Sequence, residues 1–211
     1  MEQLINLVLH FDKHLGDFAQ NYGLLVYGLT AAIIFAETGI IVASILPGDS
    51  LLFAAGALTS GGIFPLPVYI LWLILVVAAI AGDAMNYQLG KHFGRKVFTS
   101  KSKLFNTEKL VMAEAFYKKH GGKAIILARF IPFVRTFAPF VAGVSEMNYF
   151  QFLKYNAAGG LLWVTCFVGL GFFFGTIPFV QQNFHYLMVG IVVFSIIPVY
   201  LELKKPRKED L

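Results

Sequence analysis

Read for apolar and polar positions, the chain is a series of apolar runs interrupted at a few points by glycines, prolines and charges. Residues 66–81 read LPVYILWLILVVAAIA, and the run continues through Asp83 and Tyr87 toward Gly90. A stretch of that length predicts a spanning helix over 66–90. Two further apolar runs, set apart by Pro178, Gln181, Gln182 and Asn183, predict spanning helices over 151–175 and 184–203. Other apolar segments are too broken to cross. Residues 24–60 run apolar to Ala36, meet Glu37-Thr38-Gly39, resume from Ile40 to Leu46, break at Pro47-Gly48-Asp49 and end in an arm from Leu51 to Leu58. About ten residues of helix reach about 15 Å, half of a hydrocarbon core of about 30 Å, so this segment predicts a re-entrant hairpin. Residues 124–145, AIILARFIPFVRTFAPFVAGVS, carry Arg129, Arg135, Pro132 and Pro139. Such a segment persists at membrane depth only if it packs in protein or lines a wet cavity, and it predicts a second re-entrant hairpin. Residues 1–20 mix Leu4, Leu7, Phe11 and Phe18 with His10, Asp12, His14 and Asp17, the pattern of an interfacial amphipathic helix.

Composition agrees with bilayer as the solvent: 57% of the residues are hydrophobic, 14% are charged, and the mean hydropathy is +0.69. Charge then fixes orientation. Nine of the 17 basic residues lie within the polar stretch 91–123, and Lys204, Lys205, Arg207 and Lys208 close the chain in a tail over 204–211. Both segments are expected in the cytoplasm. A single crossing over 124–145 would put them on opposite sides; a hairpin keeps both inside, together with Lys154. The expected architecture is therefore all-α and integral to the membrane: one domain over 1–211, with two oppositely oriented re-entrant hairpins and spanning helices in an inverted repeat. Internal similarity supports the repeat, since PGDSLLFAAGAL (47–58) lies on PFVRTFAPFVAGVS (132–145) with a two-residue gap, and Gly90 and Gly94 echo Gly171 and Gly175. Broken segments at corresponding places point to a transporter's midplane site.

The chemistry lies in charges placed where charges are costly. Glu37 sits between IIFA and TGII, and an intramembrane carboxylate indicates proton coupling or an arginine partner. Asp49 reads as an N-cap and as a second proton-coupling acid. Arg129 and Arg135 cannot share a regular helix face, but a break at Pro132 lets them converge. Two guanidiniums at a hairpin tip form a clamp for phosphate oxygens, or neutralise Glu37 and Asp49. Asp83 and Tyr87, at i and i+4, extend a polar pathway or hydrogen-bond across helices. His10 and His14 lack a third ligand, so no metal and no cofactor is expected. Cys166 excludes an intramolecular disulfide and is expected to pack in the apolar interior. No basic recognition helix or aromatic RNA-binding motif accompanies the pI near 9.3, which argues against nucleic acid. The N-terminus lacks a basic signal-peptide flank and is expected to be retained.

The segments ETGIIVASILPGDSLLFAAGAL, GDAMNYQLGKHFGRK and GGKAIILARFIPFVRTFAPFVAG resemble the bacterial DedA family of inner-membrane proteins over about residues 20–175. The resemblance implies two opposed re-entrant hairpins, and it carries the family's essential acidic pair onto Glu37 and Asp49 and its essential arginines onto Arg129 and Arg135. It also implies movement of an anionic lipid, undecaprenyl phosphate or a phospholipid, linked to the proton motive force. One departure is Lys91, where many relatives carry arginine; it keeps the charge and loses the planar fork. The expected function is lipid translocation with protons as coupling ion, in a monomer or homodimer. The alternative is a proton-coupled antiporter for small cations or drugs. An enzyme is disfavoured, because no histidine lies near the arginine hairpin and no Ser-His-Asp or metal cluster is visible.

Overall fold

The computed structural model describes residues 19, 21–41, 48–93, 117, 121–131, 134–178 and 180. Every regular element among them is a helix: α1 (Leu25–Gly39), α2 (Gly48–Ser60), α3 (Val68–Phe93), α4 (Lys123–Arg129), α5 (Val134–Val144) and α6 (Tyr149–Phe174). The expected amphipathic helix over 1–20, most of the basic loop over 91–123, the helix over 184–203 and the tail over 204–211 lie outside the described residues.

The long apolar runs become α3 and α6, each of 26 residues and so about 39 Å long, enough to cross a bilayer. Asn148 starts α6 by accepting the Phe150 and Gln151 amides at 3.0 and 3.2 Å. Large apolar side chains stay exposed along both helices, among them Tyr69, Leu73 and Val77 on α3 and Phe150, Leu162 and Phe173 on α6. Water would not tolerate so broad an apolar surface; lipid does. Cys166 belongs to that exposed surface rather than to the interior expected for it, because its position on α6 faces away from the other helices.

The broken segments become two short pairs. The first arm runs as helix through Glu37 and Thr38 to Gly39, beyond the interruption the sequence suggested, and the Thr38 hydroxyl bonds the Ile34 carbonyl at 2.9 Å. The second arm has 13 residues rather than about ten. In the second pair, α4 ends at Arg129 and α5 begins at Val134, either side of Pro132. Tyr117 is half-buried and donates to the Ala138 carbonyl of α5 at 2.6 Å.

Each pair splits between the two long helices. α1 packs along α3 and α4 along α6, whereas the second arms cross over, α2 to α6 and α5 to α3; α3 and α6 also touch. Glycines permit both crossings. A Cβ on Gly56 would strike the Val168 carbonyl and the Phe172 amide, and one on Gly143 would strike the Tyr87 carbonyl and the Lys91 amide. Reciprocally, the Phe53 carbonyl abuts Gly171 and the Phe140 carbonyl abuts Gly90. These are equivalent atoms in the internal alignment of FAAG with FVAG and of Gly90 with Gly171, so the weak repeat in the sequence is a repeat in space.

Contacts set the height of each turn. Tyr27, near the start of α1, accepts the Leu66 amide at 2.8 Å beside the beginning of α3, while Gly39 rests on Gly82 in the middle of α3. Asp49, at the start of α2, meets Trp163 in the middle of α6. From the other end, Gly122 abuts Tyr155 and Arg129 lies beside Gly159 and Gly160, and α5 returns to Lys91. Both tips thus lie at mid-height of the long helices.

Candidate functional site

At mid-height, all six helices contribute to one buried polar cluster. Glu37 ends α1 and is completely buried; its Oε1 accepts the Gly48 amide at 3.3 Å, a donor freed by the start of α2. A Cβ at residue 48 would fall on this carboxylate, so glycine there is required by close approach. Asp49 occupies the first turn of α2, where the helix dipole favours a negative charge.

Arg135, in the first turn of α5, spans both acids. Its Nη1 donates to Asp49 Oδ1 at 2.6 Å and its Nη2 to Glu37 Oε1. One guanidinium therefore ties together the two ends of the α1–α2 turn. Arg129, at the end of α4, has different partners: its Nη2 donates to Asp83 Oδ2 on α3 and to Asn156 Oδ1 on α6, the latter at 2.7 Å. The Asn156 amide also donates to the Ile80 carbonyl at 3.0 Å, which fixes its orientation. Trp163 lies between the two halves. Its ring centre is 5.5 Å from the Arg129 guanidinium carbon and 5.1 Å from that of Arg135, and its indole N–H donates to Asp49 Oδ1 at 2.9 Å.

Asn86 joins the tips directly, donating to the Thr38 carbonyl at 3.1 Å and to the Thr136 carbonyl at 2.7 Å. Thr38, Asp83, Arg129, Arg135, Thr136 and Trp163 line a cavity of about 10 Å³. That is room for about one water and far too little for a phosphate. With three carboxylates against two guanidiniums, the cluster carries a net charge of −1 when all are ionised (2 − 3). Ions this deeply buried persist only when paired and hydrogen-bonded.

Glu37, Asp49, Asp83, Arg129 and Arg135 are thus brought together from five helices. Tyr87 is not among them: one turn beyond Asp83, its hydroxyl donates to the Met147 carbonyl and its ring stacks on Phe152 at 4.5 Å. Asn156, Trp163, Asn86 and Thr136 were not singled out by sequence reasoning. A signal existed for the two asparagines, each an amide inside an otherwise apolar spanning run; Trp163 and Thr136 offered none. Among the described residues, no group of three or more His, Cys, Asp or Glu could hold a metal ion.

Comparison with known proteins extends this picture. The VTT domain model matches residues 46–173, from the first tip to the end of α6. Protein DedA of Escherichia coli K12 is 50% identical over 206 residues, 97% of this chain and 94% of its own length. An uncharacterised membrane protein of Mycobacterium leprae is 39% identical over 173 residues (82% and 77% of the two chains), and inner membrane protein YghB of Escherichia coli K12 is 34% identical over 174 (82% and 78%). No solved structure matches. A domain match over more than half of the chain, with near full-length identity to protein DedA, establishes that this chain belongs to the DedA family of VTT-domain membrane proteins.

Proposed function

We propose that the protein is a transporter that moves an anionic lipid, undecaprenyl phosphate or a phospholipid, between the leaflets of the bacterial inner membrane, driven by protons. The observation that carries this reading is the closed cluster itself. Two arginines from one helix pair and two acids from the other meet at mid-height, and ionisable groups at that depth commonly mark a pathway for something charged. In this reading each pair is a re-entrant hairpin, α1–α2 entering from outside and α4–α5 from the cytoplasm. Lys91, Lys123 and Lys154, exposed at the end where α4 begins and α5 finishes, support that orientation, which also puts the C-terminal tail inside.

The cycle follows from the pairing. In the closed state the carboxylates occupy the guanidiniums. Protonation of Glu37 and Asp49 releases Arg135, whose planar fork suits a phosphate headgroup, while the lipid tail remains among the exposed apolar side chains of α3 and α6. Moving one negative charge inward against an inside-negative potential costs about 2.3 kcal/mol per 100 mV, which one cotransported proton cancels.

The test uses proteoliposomes loaded with labelled undecaprenyl phosphate or phospholipid. Wild type should move lipid between leaflets under an imposed pH gradient, whereas Glu37→Gln and Arg135→Lys should not; equal rates in all three would refute the assignment. One observation favours the second reading, a proton-coupled small-cation antiporter: the cavity is water-sized. Cation–proton exchange in lipid-independent assays, unaffected by Arg129→Lys, would select it.

A further inference from the structure

Asp83 differs from the other two acids in its position. Of the three carboxylates, it is the one that lines the cavity, and it does so opposite both guanidiniums, Arg129 and Arg135. The cavity beside the two arginines holds no more than about one water, so an anion reaches them only by displacing a group already there. A carboxylate already stands at the cavity's edge, with one oxygen on Arg129.

The surroundings of Asp83 are charged on several sides. α4 brings Arg129 and α5 brings Arg135, with the Tyr117 phenol also within electrostatic reach, while Glu37 of α1 and Asp49 of α2 face the other side of Arg135 as its partners. α6 contributes the uncharged Asn156 and Trp163. Glu37 and Asp49 each have a donor besides an arginine, the Gly48 amide and the Trp163 indole respectively. Arg129, for its part, would keep the Asn156 oxygen if Asp83 let go, because the amide is anchored on Ile80. The release therefore leaves the guanidinium held and half free.

We propose that Asp83 is a built-in competitor for the anion site: its carboxylate holds Arg129 in the unloaded protein, and a phosphate ester takes Arg129 only by displacing it. This deepens the lipid-phosphate reading and rests on it. Charge bookkeeping ties the exchange to a proton. A phosphate monoester, largely dianionic near pH 8, would carry the net charge of the cluster from −1 to about −3, and one proton taken up by the displaced Asp83 brings it back to about −2. No covalent bond is made or broken. Carboxylate and phosphate compete for the same guanidinium because each offers anionic oxygens to its N–H donors, Asp83 through one oxygen. Asp83 is a positioning residue here, setting when Arg129 is available.

The test is calorimetric titration of the purified full-length protein in detergent with farnesyl monophosphate, near pH 6 and near pH 8, in buffers of differing ionisation enthalpy. Wild type should take up about one more proton per ligand near pH 8 than Asp83→Asn, the ligand's own ionisation being common to both. Asp83→Asn should bind about tenfold tighter than wild type near pH 8, and Asp83→Glu should restore the wild-type behaviour. A folded Asp83→Asn that binds equally or more weakly, or still takes up the proton, overturns the inference and leaves the lipid-phosphate reading standing. Should Asp83→Asn fail to fold, wild type and Asp83→Glu decide: binding by both without proton uptake overturns the proposal, and uptake by both supports it. Absence of binding in every folded variant at both pH values removes the lipid-phosphate reading itself, and this inference with it.

Discussion

Replacing Arg135 by glutamine removes the guanidinium that closes both ion pairs of the α1–α2 turn. Glu37 is fully buried and keeps only the Gly48 amide among its present donors to Oε1; Asp49 keeps the Trp163 indole. The net charge of the cluster falls from −1 to −2, beside a cavity with room for no more than about one water to screen it. Breaking a buried pair by removing one partner costs about 3–5 kcal/mol, because the charge left behind is desolvated and uncompensated. Arg135→Gln should therefore lose about 3–5 kcal/mol near pH 8. The deficit should shrink as the pH falls, because a proton on the fully buried Glu37 removes an uncompensated charge. Unfolding by denaturant in mild detergent, followed through buried Trp163 in a Trp72→Phe background, reads this directly. Adding Glu37→Gln to Arg135→Gln should recover about 1–3 kcal/mol, since the pair is then gone rather than broken. A loss under about 1 kcal/mol near pH 8, or one that does not change with pH, would refute the claim that Arg135 neutralises both acids.

Unfolding by denaturant, followed by loss of helical circular dichroism so that Trp163 is not needed as reporter, checks three further outcomes. Trp163→Phe keeps a ring beneath the guanidiniums and deletes the donor to Asp49, and should cost about 1–3 kcal/mol. Gly56→Ala and Gly143→Ala should each cost about 1–3 kcal/mol, and by similar amounts, because each puts a methyl into backbone atoms at equivalent crossings; a neutral result at either one breaks the equivalence. Gly48→Ala should be destabilising and should weaken any proton coupling, as its methyl lands on the Glu37 carboxylate. Orientation is checked separately in a Cys166→Ser background: an impermeant maleimide should label Lys154→Cys only from the cytoplasmic side and Pro65→Cys only from outside, and labelling of both from one side contradicts the opposed hairpins.

Among the described residues, the sequence alone determined that the runs forming α3 and α6 are helices long enough to span, because chain length against bilayer thickness is a one-dimensional comparison. It also singled out Glu37, Asp49, Arg129 and Arg135, since a charge in an apolar run is costly wherever the run ends up. The glycine echoes were readable for the same reason, although what they do, admitting a carbonyl from a crossing helix, was not. Partner choice belonged to the tertiary structure. Nothing in the spacing of Arg129 and Arg135 told that the first would face Asp83 and Asn156 while the second bridged Glu37 and Asp49. Nor could it separate Asp83 from Tyr87, one turn apart on α3, of which one enters the cluster and the other caps Met147. Trp163, an apolar residue in an apolar run, became a platform for two cations only when the second arms crossed to the opposite long helices. Local pattern fixes what a segment is; which side chains meet depends on how two repeats pass through each other, and that is set by contacts far apart in the chain.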